Sequence, residues 1–308
     1  MKYARFAQKV HIEVDDPVLR LRFPNPTWPA GVSVGAPIVT LEEASFSYID
    51  IHQPLLNRMT LNVTTNSKVA IVGRNGSGKS TLLKLLTGDI DGMNGGHIMG
   101  VLWRYPLIRK GHVSQYSIEE LEEHKSQTVM EYAEKTLSSG KASSKIIAEA
   151  SGNIRQYLGG FGLGGAHALR KIGMLSGGER MRLCFAKVLA NEPHILILDE
   201  STNHVDLETL DSLADALDEY KGAVLMVSHN QGFLSRFCKE LWVVNDDGTV
   251  TCTHDDTATF DEMFSQYKSS VVLSGEAANR ANLQRTKAAL ATKAMKQSAG
   301  ARTTTALI

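Results

Sequence analysis

The stretch from Gly73 to Ser80 combines residue types and a spacing that suit phosphate binding. It follows the pattern G-x-x-x-x-G-K-S of a phosphate-binding loop, or P-loop, in which glycines let backbone N–H groups and a helix start point at phosphate oxygens. Lys79 would reach the β- and γ-phosphates as a point charge, and the Ser80 hydroxyl would bind Mg²⁺. The residues predicted to hold the nucleotide here are Gly73, Arg74, Asn75, Gly76, Ser77, Gly78, Lys79, Ser80 and Thr81.

The elements on both sides of this stretch are those that the motif needs. The apolar run at 68–72 predicts a strand, and residues 81–86 predict the start of a helix that ends at Gly88. A glycine-rich turn without a ligand is the alternative reading. The strand before the glycines and the helix after them favour the P-loop.

Two carboxylates form a second candidate site. Asp199 and Glu200 directly follow the apolar run at 195–198, and open α/β sheets bind ligands at the carboxyl ends of their strands. Asp199 would hold Mg²⁺ through water, while Glu200 would orient the attacking water and accept its proton. A solvated strand end is the alternative, but two carboxylates after four consecutive Ile and Leu residues are hard to explain in that way.

Composition gives the broad class. The chain has 308 residues, of which 43% are hydrophobic, and its 33 basic residues balance its 33 acidic residues. Zero formal charge gives no general argument for a nucleic-acid or membrane partner. No apolar run approaches the length of a membrane span, so we expect a soluble, cytoplasmic protein without membrane insertion. The three cysteines lack metal-ligand spacing and are expected to be buried free thiols: Cys184, Cys238 and Cys252.

The first part of the chain is rich in proline. Five of the eight prolines fall within residues 1–37, which we interpret as the remnant of a linker, and the segment Asp15–Pro37 is expected to be extended and to form no helix. From Ile38 onward, short alternating or apolar runs at 38–48 and 55–64 predict an antiparallel strand layer that leads into the P-loop strand.

A helical insert is predicted in the middle of the chain. Turn residues at 91–96 precede strands at 97–103 and 111–115, after which residues 119–159 have a helical pattern. We expect helices over Glu119–Glu134 and Lys145–Leu158, and a helical subdomain over about residues 116–178.

The remaining part alternates apolar strands with helices, which is typical of a parallel sheet covered on both faces. The predicted fold class is therefore α/β, with a mainly parallel core sheet, an antiparallel β subdomain and the helical subdomain. The last predicted elements are a helix at 178–190, a strand at 194–198, a helix at 207–220, a strand at 223–227, a hairpin over 241–253 and a helix at 260–267.

Residues 271–308 form an Ala-rich tail. Between Gly275 and Arg302 it carries six basic residues against Glu276 alone. A solvated helix that packs on nothing is one reading, and a basic strip that contacts phosphate backbones is the other.

The stretch Leu175-Ser176-Gly177-Gly178-Glu179 precedes a predicted helix. Alone it would be an N-cap followed by flexible glycines, or a second helix start that binds phosphate. Together with the P-loop and the paired carboxylates, it resembles the signature of the ABC ATPases, a family of P-loop NTPases, over residues 38–270. The resemblance implies that ATP contacts the signature of an opposing module through Ser176, Gly177, Gly178 and Glu179.

The resemblance assigns four further residues. Gln115 resembles the Q-loop glutamine, which would complete Mg²⁺ coordination together with Ser80 and Asp199. His229 resembles the switch histidine that contacts the γ-phosphate. The alternatives are a polar strand end for the glutamine and a structural role for the histidine. The other two are Tyr48, which resembles the aromatic residue that stacks on adenine but could be a core tyrosine, and Asp206, which resembles the D-loop aspartate.

Residues 199–206, with the sequence DESTNHVD, indicate which group of ABC ATPases the chain resembles. Transporter ATPases usually have Pro-Thr-Ser-Ala-Leu-Asp after the glutamate, whereas Asn203-His204 resembles the ABC-F group, which has two ABC modules and acts on ribosomes. The segment before Ile38 also resembles the end of the ABC-F interdomain linker. Ser201 and Val205 depart from the family pattern, which has proline and leucine, but remove no chemical group.

The resemblance implies a head-to-tail dimer in which ATP lies between Lys79 of one module and Ser176 of another. The second module would be the chain's own N-terminal half, if the sequence is a fragment, or a second copy. Ribosomal RNA or tRNA is the expected further partner. Two alternatives are the ATPase subunit of a membrane transporter, with a membrane partner near Gln115, and an adaptor that binds ATP but hardly hydrolyses it, against which Glu200 and His229 argue.

Overall fold

A computed structural model describes residues 19–49, 53–92, 95–138, 153–200, 205–253 and 258–271. The chain divides into two compact units at Cys252 and Thr253. Within the described ranges the strands are β1 (Pro37–Tyr48), β2 (Leu56–Thr64), β3 (Lys68–Gly73), β4 (Gly96–Arg104), β5 (Lys110–Ser114), β6 (Ile195–Asp199), β7 (Ala223–Val227), β8 (Glu240–Val244) and β9 (Val250–Thr253). The helices are α1 (Lys79–Thr87), α2 (Gln115–Glu119), α3 (Val129–Ser138), α4 (153–159), α5 (Gly177–Leu189), α6 (Leu207–Glu219), α7 (Gln231–Leu234) and α8 (260–271).

A three-stranded antiparallel sheet has the order β2-β1-β4. Leu41 lies opposite Leu61 on one side and opposite Leu102 on the other. Buried and exposed residues alternate along β2, as expected for a sheet with one face on the core. This layer confirms the antiparallel β subdomain predicted from the sequence.

The second sheet has six strands in the order β5-β6-β7-β3-β8-β9. Strands β5, β6, β7, β3 and β8 run parallel to one another, and β3 and β7 are buried along their whole length. Because helices cover both faces of such a sheet, its strands can be apolar throughout. The α/β fold with a mainly parallel core is confirmed, and β8 and β9 form the predicted hairpin, with the Asn245 N–H donating to the Thr249 carbonyl at 2.9 Å.

The predicted continuous helix over Glu119–Glu134 is wrong. The chain forms the short α2, a 3-10 helix at Glu120–His124 and then a separate helix, α3. Thr128 starts α3, because its hydroxyl accepts the Glu131 N–H and the Glu131 carboxylate accepts the Thr128 N–H at 2.7 Å. The first part of the predicted helix over Lys145–Leu158 lies outside the described residues, and α4 covers its end.

Residues 19–36, which we expected to belong to a linker, form no helix or strand but lie against the domain. Leu21 is buried, and the Phe23 ring stacks on Phe161 and Phe185. This segment therefore contributes to the packing of the first unit. Of the second unit, the structure describes Thr253 and residues 258–271, and α8 carries aromatic contacts among its own residues. The predicted basic tail lies outside the described residues beyond position 271.

All three cysteines lie in the described part of the chain and are free. Cys184 and Cys238 are buried as expected, whereas Cys252 is exposed, so the expectation of a buried thiol is wrong there. None of the helices over the described ranges is long and apolar enough to cross a membrane.

Candidate functional site

The carboxyl ends of four neighbouring strands lie at one edge of the parallel sheet. Ser114 at the end of β5 lies beside Asp199 at the end of β6, and Asp199 lies beside Val227 at the end of β7. Val227 in turn lies beside Ile71 of β3, whose last residue is Gly73. The segments that carry the predicted Gln115, Glu200 and His229 therefore leave the sheet at the same edge as the P-loop.

The P-loop begins with a glycine that no other residue could replace easily. Gly73 has φ +155°, and a Cβ there would lie 2.5 Å from the Val244 carbonyl oxygen. Gly78, with φ +104°, occupies the N-cap of α1. These two turns bring the backbone round so that the N–H groups at the start of α1 are available to an anion.

Lys79 lies across this loop. Its side chain is buried, and its ammonium donates to the carbonyl oxygens of Gly73 and Arg74, both at 3.0 Å. The hydroxyl of Ser77 is buried and has no hydrogen-bond partner. A buried ammonium and an unpaired buried hydroxyl beside a helix start suit an anionic ligand such as a triphosphate.

Arg74 and the two residues after it are exposed at the tip of the loop. Arg74 forms an exposed ion pair with Asp246 at 2.8 Å. Asn75 and Gly76 are exposed, with Gly76 at φ +84°. The tip is therefore accessible from solvent.

Tyr48 ends β1 next to the start of α1. Its hydroxyl lies 3.0 Å from the Thr81 hydroxyl, and its half-buried ring makes an edge contact with Phe46 at 5.1 Å. The tyrosine is therefore placed beside the P-loop helix, with part of its ring exposed.

The paired carboxylates differ in their surroundings. Burial raises the pKa of Asp199, as does the neighbouring Glu200, while His112 and Lys79 oppose the shift. Glu200 has φ +47°, which is uncommon for a residue with a side chain, and its N–H donates to the Val227 carbonyl at 3.0 Å. This left-handed residue turns the chain out of β6, and residues 201–204 after it lie outside the description.

A magnesium ion would find few protein ligands here. Over the described residues, no cluster of three or more His, Cys, Asp or Glu side chains could hold a metal ion. The exposed Ser80 hydroxyl and the Asp199 carboxylate are hard oxygen donors, and Mg²⁺ is typically held by one or two such groups together with phosphate and water. The donor set therefore fits Mg²⁺ that arrives with a nucleotide.

Gln115 and His229 follow strand ends at this edge. Gln115 is the first residue of α2, and its side chain lies outside what the structure describes. His229 is exposed. Buried Ser228 accepts the Asn230 N–H at 3.2 Å, and Asn230 caps α7 by accepting the Phe233 N–H at 3.1 Å. These two caps shape the turn that carries His229.

The signature stretch forms a capped helix start. The Ser176 hydroxyl accepts the Glu179 N–H at 3.2 Å, and the Glu179 carboxylate accepts the Ser176 N–H at 2.8 Å. Ser176 and Gly177 are exposed, whereas Gly178 and Glu179 are buried. Because the serine oxygen is used as an acceptor, its own O–H stays available as a donor to a ligand.

Two residues that the sequence analysis missed hold Glu179 in place. Arg170 donates to the Glu179 carboxylate at 2.6 Å, and a ring nitrogen of His167 lies 3.1 Å from it. Burial alone would raise the pKa of Glu179, but the Ser176 N–H, His167 and Arg170 hold it below the usual value. Spacing along the chain gives no signal for this contact.

The predicted D-loop residue contacts the signature. Asp206 caps α6, accepting the Thr209 N–H at 2.8 Å. A Cβ on Gly178 would lie 2.2 Å from the Asp206 carboxylate and 2.8 Å from the Thr209 hydroxyl. The first turns of α5 and α6 are thus in direct contact, and only a glycine leaves room for the carboxylate.

Comparisons with known proteins bear on the family and the fold of the chain. The family model described as ABC transporter matches residues 56–203. The chain is similar to ABC transporter F family member 4 of Arabidopsis thaliana, at 39% identity over 74% of this chain and 30% of the relative. It is also similar to Protein GCN20 of Saccharomyces cerevisiae, at 36% identity over 70% of this chain and 26% of the relative. ATP-binding cassette sub-family F member 3 of Homo sapiens is 34% identical over 70% of this chain and 28% of the relative.

The chain therefore spans about a quarter to a third of the length of these relatives. Among solved structures, a chain of a metal-chelate type ABC transporter in an inward-facing conformation matches with a TM-score of 0.55 and 22% identity. The match covers 71% of this chain and 84% of the other, and it supports the fold.

Proposed function

The chain carries an ABC ATP-binding domain of the ABC-F type, and from this premise we propose that it binds and hydrolyses ATP as one half of a pair of ABC modules. The observation that carries the proposal is the meeting of four strand ends with the P-loop at one edge of the sheet. The partner is the chain's own N-terminal half, if the sequence is a fragment, or a second copy.

The phosphates of ATP would lie on the P-loop. Lys79 would move from the Gly73 and Arg74 carbonyl oxygens to the β- and γ-phosphates, and Ser77 would gain a partner for its buried hydroxyl. The partly exposed Tyr48 ring would stack on the adenine. The remaining contacts would come from backbone N–H groups between residues 74 and 81.

Ser80 and Asp199 would hold Mg²⁺, with Gln115 as a further ligand. When bound, the ion would neutralise charge on the phosphates. For Asp199 to act as a ligand it must be ionised, which burial and Glu200 oppose and which Lys79 favours. The metal and the ammonium would thus support the same ionised state.

Hydrolysis would require a positioned water molecule. Glu200 lies at the turn out of β6, where its carboxylate would orient the water and accept its proton. His229, exposed after β7, would contact the γ-phosphate from the neighbouring strand. Placement of the water and stabilisation of charge would supply most of the rate enhancement.

The other half of the pocket would come from an opposing module. Its Ser176 O–H and the backbone N–H groups of Gly177 and Gly178 would point at the γ-phosphate, as expected for an exposed helix start. Glu179 would keep this helix start capped, and Asp206 would couple the two sites. ATP would then join two modules, and its cleavage would release them.

We infer a ribosomal setting from the ABC-F resemblance. Two of the three relatives described above carry F-family names. Asn203-His204 also resembles the ABC-F pattern rather than the transporter one. The cytoplasm is the corresponding compartment, and ribosomal RNA or tRNA the corresponding further partner.

A sedimentation experiment tests this function. The purified chain, alone or with an added N-terminal module, is centrifuged with ribosomes in the presence of ATP, a non-hydrolysable analogue or no nucleotide. We expect the analogue to increase the ribosome-bound fraction, and Lys79→Ala to abolish that increase. Binding that is absent or independent of nucleotide in every arm would contradict the ribosomal role, while turnover measured in parallel tests ATP hydrolysis separately.

A further inference from the structure

Residues 19–29, which we call the N-terminal strap, lie across the helices that carry the signature and the D-loop residue. Near its start, the Leu19 N–H donates to the Glu208 carboxylate at 3.2 Å, and the Leu21 N–H donates to the buried Ser212 hydroxyl at 2.9 Å. Glu208 and Ser212 both belong to α6, and Glu208 is two residues beyond Asp206. The strap is thus attached to the same helix end that Asp206 caps.

An aromatic residue in the middle of the strap joins two helices. The Phe23 ring stacks on Phe161 at 5.9 Å and on Phe185 of α5 at 5.3 Å. It also makes an edge contact with Tyr220, directly after α6, at 6.3 Å. Aromatic pairs in such geometries stabilise packing beyond the area that they bury, so this ring connects α5 to the end of α6.

The start of the strap also lies beside an arginine of the signature helix. A Cβ on Gly162 would lie 2.6 Å from a Leu19 methyl carbon and overlap the Arg182 guanidinium. Burial lowers the pKa of that guanidinium, and three carboxylates oppose the shift: Glu179, Asp206 and Glu208. The strap therefore begins beside Arg182, whose guanidinium interacts with carboxylates of the signature (Glu179), of the D-loop residue (Asp206) and of the residue that accepts the Leu19 N–H (Glu208).

The other end of the strap is fixed to the sheet. Trp28 stacks on His194, just before β6, with ring centroids 4.5 Å apart. A ring nitrogen of His194, Nδ1, accepts the Arg109 N–H at 3.0 Å, so Nε2 carries the hydrogen and donates to the Thr27 carbonyl, also at 3.0 Å. The strap thus spans α5, α6 and the beginning of the strand that ends in Asp199.

We propose that the N-terminal strap is a positioning device that holds the signature start of α5 and the Asp206 start of α6 in the arrangement needed to complete the ATP site of an opposing module. This inference rests on the proposed function. A chain segment or a partner that displaces the strap would disturb the geometry of the signature half of the site and leave the P-loop half unchanged. Phe23 and Trp28 are its positioning residues.

The test compares two strap variants with a control. Phe23→Leu keeps an apolar side chain but loses the ring contacts, and Phe23→Ala removes them fully. Met59→Ala is the control, because Met59 is buried in β2 of the antiparallel sheet and its truncation also lowers stability. All variants are studied at a temperature where circular dichroism shows them to be folded.

Three measurements follow on each variant: affinity for a fluorescent ATP analogue, steady-state hydrolysis together with the opposing module, and amide hydrogen exchange. We expect Phe23→Ala to lower kcat about tenfold and to leave the nucleotide Kd within about twofold. Hydrogen exchange should rise at the starts of α5 and α6 but not in α1. Phe23→Leu should show smaller changes in the same direction, and Met59→Ala should show none at α5 and α6.

The outcomes separate the strap from the proposed function. If Phe23→Ala hydrolyses ATP at the wild-type rate and shows unchanged amide hydrogen exchange at the starts of α5 and α6, the proposed positioning role of the strap is refuted. The same loss of kcat in Met59→Ala would also overturn it, because general loss of stability would then suffice. A wild-type chain without any hydrolysis would contradict the proposed function, while hydrogen exchange would still decide whether Phe23 positions the two helix starts.

Discussion

Replacing Gly178 by alanine should separate the two halves of the candidate site. An added Cβ would lie 2.2 Å from the Asp206 carboxylate and 2.8 Å from the Thr209 hydroxyl, both well inside contact distance. Asp206 would have to rotate away, and its cap on the Thr209 N–H would be lost. Loss of an N-cap costs about 1 kcal/mol, and overpacking adds about 1–3 kcal/mol.

One contribution to the free energy of unfolding of Gly178→Ala has the opposite sign. Replacing glycine by alanine inside a helix favours folding by about 1 kcal/mol, because the unfolded chain loses freedom and helix propensity rises. The net effect on the free energy of unfolding should therefore be a loss of about 1–3 kcal/mol. Gly159→Ala is the matched control, since a Cβ there meets no atom within 4 Å, and it should be neutral or slightly stabilising.

Urea unfolding of both variants measures this difference. Hydrolysis and nucleotide binding measured on the same samples should show that Gly178→Ala lowers turnover and leaves affinity for ATP unchanged, because the P-loop is not touched. Adding Asp206→Ser should recover part of the lost stability, since serine still caps α6 but has a shorter side chain. Equal stability of Gly178→Ala and Gly159→Ala would refute the contact between the two helix starts.

Three further predictions concern the chemistry and the strap. Glu200→Gln should slow turnover by about 10²–10⁴-fold and leave nucleotide affinity intact; normal turnover would remove Glu200 from its role. Lys79→Ala should weaken binding of a fluorescent nucleotide about tenfold or more, and unchanged affinity would contradict the proposed phosphate contact. Burial lowers the pKa of His194 from 6.5, with Arg109 acting in the same direction and the Thr27 carbonyl and Glu192 opposing, so its neutral form is favoured in the folded state. The stability that the neutral His194 side chain contributes is then fully present above about pH 6.5 and falls as the pH drops below that value. Urea unfolding at pH 7.5 and 5.5 should show this loss of stability for the wild type and not for His194→Gln.

Sequence reasoning located the parts of the molecule that depend on local pattern. The glycines around Lys79, the apolar run before Asp199 and the alternation of strands with helices are visible along the chain, and the structure shows the predicted sheets. The boundary at Thr128 was missed because charged and apolar residues continue the helical pattern through the break. A capping box made by Thr128 and Glu131 overrides that pattern.

Tertiary contacts between separate elements could not be predicted from the sequence pattern in the same way. Arg170 reaches Glu179 from a turn, and Phe23 reaches Phe185 from a segment whose prolines predicted only an extended chain. Prolines fix backbone angles but do not determine which surface an extended segment covers. The packing of residues 19–29 therefore appears only in three dimensions.

The two halves of the candidate site are built in different ways, and this difference decides what each can respond to. The P-loop half depends on backbone turns at Gly73 and Gly78 and on one ammonium that is held by carbonyl oxygens of the same loop. The signature half depends on side chains from separate elements, since Arg170 orients Glu179 and Asp206 fits only beside a glycine. Because a local loop keeps its shape when distant elements shift, such shifts should leave the affinity of the P-loop for nucleotide unchanged. A helix start that is held by long-range contacts is the part through which movement elsewhere in the chain can change hydrolysis.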